Sequence, residues 1–290
     1  MTVIDFIISV LYGIVEGITE WLPVSSTGHL ILLDSFLHLN VSEEFYELYL
    51  VVIQLGAIMA VVIIYWNEIW PFGIKDNPHP WKSEGIGRWV KADKFVMWFK
   101  ILVACIPAVV VGLIFDDFLD ELFYNWICVS IMLILFGIAF IGVEKWVKGK
   151  KPYVTSVDQI TYPQALLIGA FQLIAAVFPG TSRSGSTIVG SLAMGISREV
   201  AAKFTFFLAI PVMFGASLLK ILKYDGEGVS GAEIAMLATG MIVAFLVSWF
   251  VIKKFMSYIR KHNFNVFGWY RIVAGVLFLI LGIAGLLKMG

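Results

Sequence analysis

Glu16, Glu20, Ser25, Ser26, Thr27 and His29 crowd into one short stretch, EGITEWLPVSSTGH, flanked by apolar sequence. Glu16 and Glu20 stand four residues apart and therefore share a face of the incoming helix. Like charges at that spacing repel by roughly 0.2–0.5 kcal/mol even in water. After Pro23 a second helix is expected to begin with Ser25 or Ser26 as its N-cap. Capping accounts for one serine but not for His29, which then lies one turn beyond Ser26 near the positive end of the helix. A serine and a histidine beside two carboxylates are the parts of nucleophilic or general acid–base chemistry.

A second polar stretch, PGTSRSG, complements the first. Arg183 lies among Thr181, Ser182, Ser184 and Ser186, and Gly180 and Gly185 permit close backbone approach. A helix expected from about Ser184 adds free backbone N–H groups. Hydroxyls, a guanidinium fork and a helix N-terminus together make an anion site, most naturally for phosphate. A simpler role for Arg183, pairing with Glu20 to hold the two stretches together, is compatible with that reading.

These groups sit in an unusual chain. It has 290 residues, 60% hydrophobic and 14% charged, with mean hydropathy +0.89. A soluble domain averages about 45–50% apolar and about 25% charged residues, so a large soluble helical protein is excluded. Charge is balanced, 21 basic against 21 acidic residues, and nothing points to nucleic acid. Cys105 and Cys128 fall in separate apolar runs without metal-ligand spacing. His38, His79 and His262 are assigned no chemistry, and the tryptophans at 66, 70, 81, 89 and 98 are expected at a membrane interface. The N-terminus lacks a basic region and a cleavage site, so it is expected to belong to the mature fold.

Crossing about 30 Å of hydrocarbon takes about 20 apolar residues. Six runs qualify: 46–66, 96–115, 125–144, 200–222, 232–252 and 267–287. Two further apolar stretches, 3–39 and 162–197, are each interrupted by one of the polar knots, leaving arms short for a span. A helix–turn–helix that enters and leaves by one face fits them better. Irregular backbone at that depth requires surrounding protein or a wet cavity.

Basic residues orient the chain. Loops 67–95 (Lys75, Lys82, Arg88, Lys91, Lys94), 145–161 (Lys145, Lys148, Lys150, Lys151) and 253–266 (Lys253, Lys254, Arg260, Lys261) are basic. The alternate connections are not: 116–124 carries Asp116, Asp117, Asp120 and Glu121, and 223–231 carries only Lys223 as a base. The three basic loops are thus expected in the cytoplasm and both termini outside.

The knots also superpose. At an offset of 156 residues, Gly13 falls on Gly169, Glu16 on Gln172, Pro23 on Pro179, Ser25 on Thr181 and Ser26 on Ser182. Each knot precedes three spans, an odd number, so the second copy starts from the opposite face. The expectation is an all-α integral membrane protein of six transmembrane helices and two re-entrant helical hairpins. They form a 3+3 inverted-topology repeat, with halves at about 1–150 and 156–290.

The segments Glu16–His29 and Pro179–Gly185 closely resemble the two signature segments of the bacterial undecaprenyl-diphosphate phosphatases, integral membrane enzymes associated with bacitracin resistance. Arg198–Pro211 and Trp269–Gly275 extend the resemblance over nearly the whole chain. It departs from that pattern where Lys203-Phe-Thr stands in place of an Arg-Phe-Ser-like run. The resemblance implies hydrolysis of the lipid-linked diphosphate to the monophosphate carrier of cell-wall synthesis, a divalent-cation requirement and a site open to the outer face of the plasma membrane. It carries the catalytic positions onto Glu16, Glu20, Ser26, His29 and Arg183.

On this basis Glu16 and Glu20 are expected to bind Mg²⁺ or Ca²⁺. Ser25, Thr27, Gly180, Thr181, Ser182 and Ser184, with Arg183, are expected to hold the diphosphate. Ser26 is the first choice of nucleophile with His29 moving its proton; His29 itself or water are the alternatives. The expected partners are a polyprenyl diphosphate and membrane lipids, with a homodimer one expectation for the oligomeric state. A secondary transporter or lipid-carrier flippase is the rival from another class, because inverted repeats with broken helices also build carriers. A purely structural membrane protein is the third reading, and it makes Glu16→Gln and Glu20→Gln stabilising and silent.

Overall fold

The computed structural model describes residues 3–73, 77–226 and 228–287, with the backbone alone described at 113–121. Eleven α-helices are present among the described residues. They are α1 (Val3–Thr19), α2 (Ser26–Phe36), α3 (Glu43–Ile64), α4 (Trp66–Ile69), α5 (Ala92–Phe123), α6 (Trp126–Val147), α7 (Tyr162–Val177), α8 (Arg183–Ala193), α9 (Arg198–Leu222), α10 (Gly231–Ile259) and α11 (Asn265–Ile283). Extended pairing among these residues is limited to isolated bridges such as Phe72 with Val90.

Six helices are long and apolar enough to cross a membrane: α3, the Ala92–Gly112 part of α5, α6, α9, α10 and α11. Their outward faces carry a continuous display of Ile, Leu, Val and Phe, with Phe250 and Ile283 exposed. That much open apolar surface suits lipid, not water. The chain is a multi-pass membrane protein. Side chains start the spans where caps are needed: Ser42, Asn125, Ser197 and Ser230 each accept a hydrogen bond from the backbone N–H three residues on.

The expected spans are recovered with shifted ends. α5 continues through 116–124 to Phe123, so that expected loop is mostly helix; the side chains of Asp116, Asp117, Asp120 and Glu121 lie outside the described residues, as does Lys75. α10 runs to Ile259, seven residues beyond the expected end, and absorbs Lys253 and Lys254 from the expected loop. The reason is burial: Phe255, Met256 and Ile259 in this last stretch join the main core. Trp66, Trp70, Trp81 and Trp89 are exposed together, as interfacial tryptophans are.

The remaining helices are short. At 1.5 Å per residue, α1 (17 residues) and α7 (16) reach about 25 Å, and α2 and α8 (11 each) about 16 Å. All four fall below the length of a span. α1 packs on α10, α7 on α5, and α8 against α6, α7 and α9, so the polar ends of these short helices are walled by the long ones. The main core lies among α3, α5, α9 and α10 and includes the fully buried Trp21.

Candidate active site

Between α1 and α2 the chain turns through Glu20–Ser25. Trp21 pins this turn into the core, its ring edge-on to Phe206 with centroids 5.2 Å apart. Ser25 caps α2, its hydroxyl accepting from the Gly28 N–H at 3.4 Å. The second turn, Pro179–Ser182, delivers the chain into α8, where the Ser182 hydroxyl accepts from the Gly185 N–H at 3.1 Å. α8 therefore begins at Arg183, one residue before the expected Ser184.

Both caps are held in a backbone conformation that side-chain-bearing residues avoid. Ser25 (φ 75°) and Ser182 (φ 70°) are the positive-φ residues other than glycine among those described. Each costs of order 1–3 kcal/mol, a strain that concentrates at functional sites. Gly180 is left-handed as well (φ 90°), and a Cβ there would stand 2.5 Å from the Val129 carbonyl oxygen. No larger residue fits that approach.

Arg183 joins the two turns. Its Nη2 donates to Glu20 Oε1 at 2.6 Å, and its Nη1 donates to the Thr205 carbonyl on α9 at 3.3 Å. The other oxygen of Glu20, Oε2, accepts from Ser26 Oγ at 2.7 Å. Ser184 Oγ donates to the Glu20 carbonyl at 3.3 Å. A serine, a carboxylate and a guanidinium contributed by two distant parts of the chain are thus linked in one hydrogen-bonded row. They line a cavity of ≈ 170 Å³ together with Ser25, Thr27, Gly180, Ser182 and Ser184. That exceeds by far the about 10–15 Å³ needed for one water.

Not every expected residue joins this row. Glu16 is fully buried behind it, within electrostatic reach of Glu20 and Arg183, and neither carboxylate oxygen has a hydrogen-bond partner. His29 faces elsewhere: Nδ1 bonds with the Ser25 carbonyl at 2.7 Å, and Nε2 with the Tyr270 hydroxyl at 2.5 Å, the rings lying parallel. The expected proton exchange between Ser26 and His29 has no contact here, because Glu20 occupies the Ser26 proton. Thr181 is buried outside the cavity wall, its hydroxyl without a partner.

Several residues outside the two polar stretches support the site. Arg271 on α11 is fully buried and donates to both turns. Nη1 reaches the Pro23 carbonyl at 3.2 Å, and Nη2 the Gly180 and Thr181 carbonyls at 2.9 and 2.8 Å. Its signal was available: an arginine inside the apolar run 267–287 is too costly to be idle. Gln54 on α3 lines the cavity, likewise a polar residue in an apolar run. Thr205 contributes its carbonyl to Arg183 and its hydroxyl to Thr187 at 2.8 Å.

Comparison with known proteins matches residues 9–277 to the family model described as bacitracin resistance protein BacA. The chain belongs to that family. Among BacA-type relatives, the undecaprenyl-diphosphatase of Desulfitobacterium hafniense is 56% identical over 280 residues, 97% of each chain. Undecaprenyl-diphosphatase 1 of Clostridium acetobutylicum is 55% identical over 277 residues, covering 96% of this chain and 97% of the relative. An undecaprenyl-diphosphatase of Enterococcus faecalis is 51% identical over 278 residues, 96% and 97% of the two chains. The BacA match takes in both turns, and it bears out the family resemblance read from EGITEWLPVSSTGH and PGTSRSG.

Proposed function

We propose that this protein hydrolyses undecaprenyl diphosphate to undecaprenyl phosphate and inorganic phosphate, returning the lipid carrier to cell-wall synthesis in a bacterial plasma membrane. The relatives' names support the reaction, and the row Ser26–Glu20–Arg183 at a cavity shared by two helix N-termini carries the reading. Phosphoryl transfer needs little from a protein beyond positioning and charge stabilisation, and the cavity offers both.

In the mechanism we favour, Ser26 Oγ attacks the terminal phosphorus as its proton passes to Glu20 Oε2. The bond to the bridging oxygen breaks, and undecaprenyl phosphate leaves. Water then attacks the phosphoserine; its phosphorus–Oγ bond breaks, Ser26 Oγ takes back the proton from Glu20, and phosphate leaves with the oxygen and protons of the water. Arg183 and the N–H groups beginning α2 and α8 hold the phosphate oxygens, with Ser25, Thr27, Gly180, Ser182 and Ser184 around them and Thr181 shaping the turn. His29 orients the start of α2 through Ser25. Its use as the nucleophile, or direct attack by water, are the alternatives.

The residues present also fit a divalent cation. Among the described residues no three His, Cys, Asp or Glu side chains converge, but Mg²⁺ commonly takes only one or two carboxylates and completes its shell with phosphates and water. The unpartnered oxygens of Glu16 are donors of the right kind, and Glu16 would hold Mg²⁺ or Ca²⁺, with Glu20 joining it where its Oε1 gives up the bond to Arg183. Such a cation, when bound, neutralises charge on the diphosphate.

We further propose that α1–α2 and α7–α8 are re-entrant hairpins of an inverted repeat, with both termini and the site mouth outside. Three features support this. α1 packs on α10 while α7 packs on α5, and α3–α9 and α6–α11 pack as counterpart pairs. A Cβ on Gly13 would meet the Gly240 carbonyl oxygen at 2.6 Å, and one on Gly169 the Ala104 carbonyl oxygen at 2.2 Å. Ser25 and Ser182 are strained caps of the same kind. The register is 156 at the glycines and 157 at the caps, because one more residue stands between Gly169 and Ser182 than between Gly13 and Ser25.

The carrier alternative finds no support in the relatives' names. The deciding assay is phosphate release from a short-chain polyprenyl diphosphate by the purified protein in detergent, where no gradient exists. Release of one phosphate per monophosphate formed is expected. A folded, inert protein would contradict the proposal.

A further inference from the structure

A second, larger cavity of ≈ 590 Å³ opens at the other end of α8. α8 spans 11 residues from Arg183 to Ala193, so this cavity lies about 16 Å along the helix from the row at Ser26, Glu20 and Arg183. Its walls come from the end of α6, the loop after it, the α8–α9 connection, the start of α9 and the end of α10. It belongs to the face bearing the basic loops.

Its chemistry is two-sided. Val147, Leu192, Ile196 and Ile259 form an apolar wall. Four cations line the rest: Lys150, Lys151, Arg198 and Arg260. Two are already neutralised. Arg198 is held by both oxygens of Glu144, with Nε donating to Oε1 at 2.8 Å, and Arg260 donates to Glu199 at 2.8 Å. Glu199 is the one acidic residue in the described lining. Among the described residues neither Lys150 nor Lys151 has an ion pair, and Lys150 Nζ rests 3.5 Å from the centroid of the Trp146 ring. Trp146 and Tyr153 are 64% and 68% exposed beside these lysines.

We propose that this cavity binds a lipid-borne phosphate, at a place separate from the hydrolytic site. Unpaired lysines supply the charge a phosphate needs, and basic pockets between membrane helices take anionic headgroups in this way. The apolar wall and the exposed aromatic rings suit the first carbons of the attached chain and the interfacial depth at which headgroups lie. A free phosphate ion would leave that wall and the Tyr153 ring unused. The volume falls within the range of small-molecule sites, about 300–1,000 Å³. An anionic phospholipid and the monophosphate of a polyprenol share this chemistry. The inference rests on the membrane placement of the chain and not on the hydrolysis.

The test uses the full chain in detergent, with lipid adducts counted by native mass spectrometry after addition of phosphatidylglycerol or phosphatidylcholine. The wild-type protein is expected to retain phosphatidylglycerol preferentially. The double variant Lys150→Gln/Lys151→Gln is expected to lose roughly tenfold or more of that retention, with an unchanged melting temperature, and Lys150→Arg/Lys151→Arg to keep it. Displacement of the adduct by farnesyl phosphate assigns the site to the polyprenyl carrier; resistance to displacement assigns it to phospholipid. Equal retention by the Gln variant, equal retention of phosphatidylcholine, or displacement by inorganic phosphate at the same concentration would overturn the proposal.

Discussion

Glu20 is the hinge of the site's chemistry, because its two oxygens take Ser26 on one side and Arg183 on the other. If Ser26 is the nucleophile, Ser26→Ala abolishes the labelled phosphoenzyme and lowers turnover by about 10²-fold or more. Quenching with labelled substrate reads this directly, and label on neither Ser26 nor His29 in an active enzyme would point to water. Arg271 acts differently, since its hydrogen bonds go to backbone carbonyls. Arg271→Met leaves four carbonyl acceptors, those of Pro23, Met132, Gly180 and Thr181, without a charged donor, each worth about 1.5–3 kcal/mol. A fall in melting temperature is expected with the loss of activity, whereas an inactive variant of wild-type stability would place Arg271 in the chemistry. At this scale the sequence was legible where residue types cluster. Glu20, Ser26 and Arg183 met as their chemistry required. The partners of His29 were not legible, because Tyr270 approaches from 241 residues away, and no local pattern encodes that distance.

At the scale of elements, two interrupted helix pairs were readable from their knots, since Pro, Gly and hydroxyl residues cannot continue an apolar helix. Their strain was not. Ser25 and Ser182 sit at positive φ although any sequence rule would place glycine there. What holds them is tertiary: Arg271 clamps the preceding carbonyls and Trp21 fills the core beneath. Helix ends also depart from the apolar runs. α10 outran its apolar stretch because buried Phe255 and Ile259 follow two lysines. Gly169 provides a test at this scale. Its missing Cβ lets α7 lie against the Ala104 carbonyl of α5, so Gly169→Val is expected to cost about 1–3 kcal/mol or more from overpacking. Thermal unfolding in detergent measures it, and a wild-type melting curve would contradict the contact.

Among the described residues the molecule keeps an apolar core and also turns Ile, Leu, Val and Phe outward, while Glu16, Glu20, Ser25, Thr181 and Ser184 are buried where the two turns meet. Hydropathy alone located the six spans, since length and charge depletion are what a bilayer demands. The proposed face of each loop rests on lysine and arginine placement and can be measured. In a Cys105→Ala/Cys128→Ala background, Val229→Cys is expected to react with an impermeant thiol reagent on intact cells. Lys150→Cys and His262→Cys are expected to react only after the cells are opened. The opposite pattern would invert the proposed topology. The central claim is that the two turns, from the two halves of the chain, form one phosphatase site. It is tested most directly by phosphate release from a polyprenyl diphosphate with Arg183→Ala, compared with wild type at matched melting temperature. A loss of about 10²–10³-fold is predicted, the scale of removing a donor that stabilises transition-state charge; hydrolysis at the wild-type rate in that folded variant would contradict it.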